Sequence, residues 1–402
     1  MSTIAKDLPK FGLTIEDLTR KVVFLNDLKK YPLNIVNTEC VKTMNYTVGN
    51  SKEMTFINGN KYIMSISMYN ELHELKNGPK VLKPSSKNFM SSYRHYDGND
   101  LTNKSLLVWR TGGIGDLLFI QPSLIFLKNK YPSCKITFAC NPENQSMVKE
   151  WDCIDSVVSL PFDFRLMIQH DYHIVFEGVI ERCREAEVEN ALCLFSRWMG
   201  LDIPKEELVP SQKVNISTLQ YCEEYLSKQS IDEFILIQPR ASSVIRTPNP
   251  DVWVQVVNYL TEKNHKVILI DSPKNHNKID EIIKKCDNQS SIFNFTKDSK
   301  SLSCMISMTY LSKLCISVDS SLIHITASLN KPGIGIYGPF PGSIRLSTYP
   351  TVEWVDCISD CSPCFKHNHN PCELSKDGYC ISFNNLPFEN LIQKIEKTLN
   401  KQ

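Results

Sequence analysis

Three clusters in this sequence bring together residue types able to do chemistry. In VWRTGGIGDLLFIQPSLIFL an apolar run ends in Thr111, Gly112, Gly113 and Gly115, and Asp116 follows at once. Glycines at a strand-to-helix corner let the chain turn tightly and let another molecule approach the backbone. A phosphate received at that corner would be repelled by the Asp116 carboxylate. The position therefore suits a general base, or a carboxylate favoured by the helix dipole, better than an anion site. A dinucleotide-binding turn would also want an acidic residue at the end of the next strand, where Ala139, Cys140 and Asn141 stand instead.

The second cluster is LCISVDSSLIHITASLNKPGIGIYGPF, in which Asp319 ends a strand, Ser320 and Ser321 open a helix, and His324 lies one turn on. Small hydroxyl residues and free N–H groups at a helix start can receive a diphosphate, and the same residues can equally serve as an N-cap beside a buried histidine. The third is DCISDCSPCFKHNHNPCELSKDGYC, where Cys361 and Cys364 stand two residues apart and Cys372 and Cys380 follow. With Cys357, His367 and His369 nearby, this segment can supply a tetrahedral structural zinc site that staples a long loop, or simply free thiols.

Groups so far apart in sequence need a scaffold, and the chain reads as one from Ser105 onward. SLLVW and ITFAC are strand-like, LLFIQPSLIFLKNKY has helical spacing, and further strands are expected at 156–160 and 173–176. A second series starts at FILIQP and continues through KVILID, SIFNF, LCISV and GIGIYG, with helices between. Strands alternating with helices predict parallel, doubly wound α/β sheets. Before them, MTFINGNKYIMSIS places alternating apolar segments around Asn58-Gly59, a hairpin signal. The organisation expected is an accessory module over 1–80, a linker over 81–104, α/β domains over 105–215 and 216–385, and a final helix over 386–402 that packs back across the domains.

Composition narrows the function classes. The 402 residues carry 45 Lys plus Arg against 44 Asp plus Glu, and a net charge of +1 gives no electrostatic reason to expect nucleic acid or an anionic membrane. No stretch approaches the roughly 20 apolar residues of a spanning helix, and the first ten residues lack a signal-peptide core. Fifteen cysteines, most scattered singly, fit a reducing compartment, so the expected location is cytoplasmic.

The first two clusters, in this order, resemble glycosyltransferase family 9, the ADP-heptose:lipopolysaccharide heptosyltransferases. Gly113-Ile114-Gly115-Asp116 matches the family's G-x-[IM]-G-D turn. Asp319, Ser320, Ser321, His324, Ile325, Ala327, Leu329, Lys331 and Pro332 match its D-T-G-x-x-H motif and the helix that follows, and Tyr337, Gly338 and Pro339 match a later Y/F-G-P element. In QPRASSVIRTPNPDVWVQVV, Arg246 stands where the family places a Lys or Arg near the donor phosphates, with Arg240 and Ser242 beside it. The sequence departs from the pattern at Ser321, usually Gly, and at Thr326, usually Ala. The resemblance covers residues 104–385.

That resemblance implies a GT-B fold, two Rossmann-like domains facing a cleft, here with the added hairpin module. It implies an inverting sugar transfer that requires no metal cofactor, from a nucleotide diphosphate donor, ADP-linked by family habit, to a hydroxyl acceptor. Asp116 would be the base, and the Ser320 helix with Arg246 would receive the departing diphosphate. The acceptor is a glycolipid or glycan by family default, with a modified DNA base or a protein as alternatives for a chain carrying an extra module. An idle nucleotide- or carbohydrate-binding module of the same fold, and a dinucleotide oxidoreductase, are the rival classes. Glu177, at the end of HIVFEG, is either a residue of the acceptor side or a surface carboxylate.

Overall fold

The computed structural model describes residues 22–24, 41–46, 51–56 and 61–65 as backbone strands, and residues 96, 98–160, 162, 166, 169–180, 183–366 and 371–400. The four early strands are β1 (Val22–Phe24), β2 (Val41–Tyr46), β3 (Ser51–Phe56) and β4 (Lys61–Ser65), ordered β1-β4-β3-β2 in one sheet. β3 and β4 pair antiparallel, with Glu53 opposite Ile63 and Met54 opposite Tyr62. This is the hairpin expected around Asn58-Gly59, although those two residues lie outside the described ones.

Contacts divide the chain into two units. One comprises Met1–Thr111, Leu127–Gln145 and Cys153–Arg182; the other comprises Gly112–Phe126, Ser146–Asp152 and Cys183–Gln402. The first unit holds β5 (Ser105–Trp109), β6 (Lys135–Cys140), β7 (Ser156–Ser159) and β8 (Tyr172–Val175) in the order β7-β6-β5-β8. All its pairings are parallel. Strands covered on both faces need no alternation, and SLLVW accordingly buries Leu106, Leu107, Val108 and Trp109 together. Helix α1 (Ile114–Lys130) follows β5, and the short α2 (Gln145–Val148) follows β6.

The second unit holds β9 (Ile235–Gln238), β10 (Val267–Leu269), β11 (Ile292–Asn294), β12 (Leu314–Val318), β13 (Gly333–Tyr337) and β14 (Val352–Asp356). Their order is β11-β10-β9-β12-β13-β14, and every pairing is parallel. The chain winds outward from β9 on one side and from β12 on the other, so the loops leaving those two neighbours diverge. Such a switch point is where open α/β sheets form their ligand crevice. The helices are α3 (Ala191–Trp198), α4 (Ile216–Lys228), α5 (Pro250–Glu262), α6 (His276–Lys284), α7 (Leu302–Leu311), α8 (Ser321–Ser328), α9 (Gly342–Leu346) and α10 (Phe388–Leu399).

The core of this unit joins Ile235 and Ile237 of β9, Ile316 and Val318 of β12, and Trp253, Val256, Val257 and Leu260 of α5. Helix α10 contributes Leu391 and Ile395 to the same core, and Lys394 and Lys397 both reach Glu353 of β14. Its buried face therefore belongs to the second unit's own packing. Asn190, Asn215 and Asn249 cap α3, α4 and α5 by accepting backbone N–H bonds. No helix among the described residues is long and apolar enough to cross a membrane.

Because Ile316 is fully buried in the central strand β12, Ile316→Ala should cost about 2–5 kcal/mol. Urea denaturation followed by circular dichroism checks this as a lower midpoint with an unchanged slope.

Candidate active site

The glycine turn is built to bring one backbone segment against one side chain. Neither Gly112, Gly113 nor Gly115 is among the glycines with positive φ, so none is required there by backbone conformation. A Cβ on Gly113 would meet nothing within 4 Å, whereas a Cβ on Gly115 would lie 2.8 Å from Cδ2 of His324. Gly115 is thus a close-approach residue that lets the first turn of α1 lie on α8. Asp116 follows it, half-buried, and its Oδ2 accepts the Gly113 N–H at 3.1 Å.

His324 is 4% exposed and enclosed by aromatic edges. Phe119 of α1 meets it at 4.7 Å between ring centres and 71° between planes, and Tyr349 at 5.8 Å and 74°. The Tyr349 hydroxyl lies 3.1 Å from Nδ1. Burial lowers the imidazole pKa from 6.5 to about 4, against the raising pull of Asp319 and Asp116; Arg345 and Arg246 add to the lowering. His324 is therefore neutral near pH 7, a polar wall for the turn.

The start of α8 is capped from another strand. Ser320 occupies the N-cap position without making a side-chain cap bond. Gln238, the last residue of β9, supplies the cap: its Oε1 accepts the Leu322 N–H at 3.0 Å and the Ser320 hydroxyl at 2.7 Å. The Ser321 hydroxyl also points at Gln238 Oε1, at 3.4 Å. The two serine side chains expected to face a phosphate are thus turned inward, and what this helix start can offer an anion is backbone N–H and dipole.

Arg246, in a 3-10 turn over Val244–Arg246, donates from Nη1 to the Asp319 carbonyl at 2.8 Å and stands 3.4 Å from Asp319 Oδ2. Its Nη2 donates to the Ser242 hydroxyl at 3.0 Å. Asp319 is 5% exposed. Asp116, Arg246, Ser242, Asp319, Ser320, Ser321 and His324 accordingly form one neighbourhood within the second unit.

Other expected residues make contacts of their own. Arg240 faces Asp271, with Nε 3.4 Å from Oδ2, and burial raises the Asp271 carboxyl above its ordinary range. Gly338 packs against Ser382 and Phe383, where an added Cβ would come within 2.7 Å of the Ser382 hydroxyl. In the first unit the Thr111 N–H donates to Glu177 Oε1, and Asn141 Nδ2 donates to the Thr111 carbonyl at 2.8 Å. Glu177 also stands 3.8 Å from Arg110 Nη1 and is 12% exposed. It holds the loop leaving β5 and is not a solvated surface carboxylate.

Sequence spacing offers Cys361, Cys364, Cys372 and Cys380 as ligands of a structural zinc. Among the described residues no three His, Cys, Asp or Glu side chains stand together so as to hold an ion. Cys361 Sγ lies 3.3 Å from the Ser359 hydroxyl and Cys380 Sγ 2.8 Å from that of Ser382, and all four thiols are outside any disulfide. His367 and His369 lie outside the described residues. The Cys380 thiol stands within electrostatic reach of Cys364 and Cys372, and burial pushes it up.

Gln238, Phe119, Tyr349 and Arg345 belong to the neighbourhood and escaped sequence reasoning. Gln238 left one signal, a polar residue closing the apolar run FILIQ. Tyr349 left none, since its loop has no periodicity.

A family model described as glycosyltransferase family 9 (heptosyltransferase) matches residues 175–374. No curated protein matches the sequence. Among solved structures, a family 9 glycosyl transferase from Veillonella parvula is 13% identical, with a TM-score of 0.60, covering 76% of this chain and all of its own. The ADP-heptose lps heptosyltransferase II of E. coli is 14% identical, with a TM-score of 0.54, covering 74% and 99%. The iron-containing dodecameric glycosyltransferase TibC of enterotoxigenic E. coli is 14% identical, with a TM-score of 0.53, covering 75% and 78%. At these identities the likeness establishes the α/β architecture shared with GT-B-like glycosyltransferases.

Two outcomes follow from this packing. Gly115→Ala should destabilise the fold by about 1–3 kcal/mol, since the methyl must displace the His324 ring from a filled site; thermal melting checks it. The second concerns pH. A histidine neutral when folded and protonated when unfolded makes the unfolded state bind more protons, so its stability contribution is complete above about pH 6.5 and is lost as pH falls toward about 4. Denaturation curves across that window should show His324→Gln losing less stability on acidification than the parent chain.

Proposed function

We propose, from the match of residues 175–374 to the glycosyltransferase family 9 (heptosyltransferase) model, that the protein transfers a sugar from a nucleotide diphosphate donor to an acceptor hydroxyl, with inversion and with Asp116 as general base. The Asp116 carboxylate takes the hydroxyl proton as the oxygen forms its bond to the anomeric carbon. On the opposite face the bond from that carbon to the phosphate oxygen breaks, and the electron pair leaves with the nucleoside diphosphate. Negative charge growing on the diphosphate is met by Arg246 and by the backbone N–H groups at the start of α8.

One observation carries this reading. Gly115 brings the α1 turn onto His324, 2.8 Å from where a Cβ would stand, so the carboxylate of one motif and the anion-receiving helix of the other share a single neighbourhood. Arg246 is held by the Asp319 carbonyl and the Ser242 hydroxyl, and a guanidinium anchored in advance loses little freedom on meeting phosphate. The donor class proposed is an ADP-linked sugar, on the likeness to an enzyme described as an ADP-heptose lps heptosyltransferase. The acceptor class proposed is a glycan hydroxyl, on the same likeness.

Asp116→Asn should lower turnover by about 10²–10⁴-fold and leave donor affinity near that of the parent. Release of nucleoside diphosphate from ADP-, UDP-, GDP- and CDP-sugars, with donor binding followed by thermal shift, measures both. Equal turnover in parent and variant would remove Asp116 from the chemistry. Binding of NAD in preference to every sugar nucleotide would point to an oxidoreductase, and binding without turnover in the parent to an idle module.

A further inference from the structure

The donor site as described leaves one buried cation unassigned. Arg345 lies on α9, 7% exposed, with its guanidinium carbon 4.2 Å from the centre of the Phe340 ring. Three other arginines each face a carboxylate: buried Arg110 faces Glu177, and the partly buried Arg240 and Arg246 face Asp271 and Asp319. Among the described residues no carboxylate pairs with Arg345, and its Nε has no hydrogen-bond partner. A guanidinium cannot shed its proton at any ordinary pH, so burying one without a counter-ion is costly until an anion arrives.

Its place in the fold says which anion. β12 and β13 pair in parallel with Val318 opposite Ile336, so the Asp319–Ser321 segment and the Tyr337–Phe340 segment leave the sheet at the same carboxyl edge. Arg246 reaches that edge from the β9 side through the Asp319 carbonyl. Tyr349, four residues beyond Arg345, touches His324 of α8 through its hydroxyl. The backbone of Arg345 is fixed in turn by Asn190, whose Nδ2 donates to the Arg345 carbonyl at 2.9 Å. The charges of Arg246 and Arg345 both act on His324 and Tyr337.

We infer that Arg345 is the second cation of the donor site, which takes the diphosphate of the nucleotide sugar together with Arg246. Arg246 is partly neutralised by Asp319 and serves to position, while Arg345 brings an uncompensated charge to a group that carries two. The inference rests on the nucleotide-diphosphate reading above.

Calorimetric titration of the full chain with ADP, inorganic pyrophosphate and adenosine tests it. The parent should bind ADP and pyrophosphate, and Arg345→Gln should weaken both by about ten- to a hundredfold, the scale of a charge-assisted contact, with adenosine affinity unchanged. The ligand-free variant should melt no earlier than the parent, because an unpaired buried charge has been removed; a merely structural arginine would lower the melting temperature and spare the preference for phosphate. If Arg345→Gln does unfold early, Arg345→Lys, which keeps the charge and loses the two-pronged fork, carries the same comparison. Pyrophosphate binding several-fold weaker than in the parent supports the assignment, and equal binding overturns it. Unchanged ADP and pyrophosphate affinity in Arg345→Gln refutes the role of Arg345 and leaves the transferase reading standing. Failure of the parent to bind either ligand refutes both.

Discussion

The contact between the first turn of α1 and the ring of His324 is the constraint on which the site depends. Two helices that begin about two hundred residues apart in sequence come together there, and the separation is small enough that position 115 has no room for a side chain. The ring is in turn fixed by Phe119 and Tyr349. A charged imidazole would be poorly tolerated in that enclosure, and burial keeps it neutral. One packing contact thus sets the position of Asp116, the protonation of its neighbour and the approach of α1 to α8.

The second unit's sheet supplies the rest. In a parallel sheet all strands carry their loops to one edge, and at the divergence between β9 and β12 the chain leaves space for a ligand. Gln238 ends β9 opposite Ser317 of β12, so the switch point brings its side chain to the head of α8, just after Asp319. Gln238 satisfies the orphan donor at the head of α8, and Arg246 locks onto the Asp319 carbonyl. The polar groups at this edge are tied to one another before any ligand arrives, and such preorganisation lowers the cost of binding a flexible, charged donor. Arg345 stands apart from that network, its guanidinium over the Phe340 ring and, among the described residues, facing no carboxylate.

Much of this was legible in the sequence because parallel strands are near-continuous apolar runs and helices have a 3.6-residue period. SLLVW, FILIQ, LCISV and GIGIY all form strands within a residue or so of where their composition puts them, with Asp116 in the first turn of the helix after SLLVW and Ser321 opening the helix after LCISV. Side-chain direction was not legible. Ser320 and Ser321 turn inward because Gln238, eighty residues earlier, reaches across the sheet to meet them, and sequence spacing contains no trace of that crossing. Gly115 matches a motif, yet its physical reason is a neighbour on another helix and not a backbone dihedral. In the cysteine-rich segment, too, spacing along the chain does not fix where sulfurs point: Cys361 and Cys380 each lie beside a nearby serine.

In the proposed mechanism the Asp116 turn and the head of α8 form one reactive site around a nucleotide sugar. A crystal structure of the full chain with a non-transferable ADP-sugar tests it most directly. The account predicts the diphosphate against Arg246 and the first turn of α8, with the anomeric carbon facing Asp116 and separated from it by the room for one acceptor oxygen, about 3–3.5 Å from that carbon. A nucleotide bound away from α8, or an anomeric carbon turned from Asp116, would contradict it.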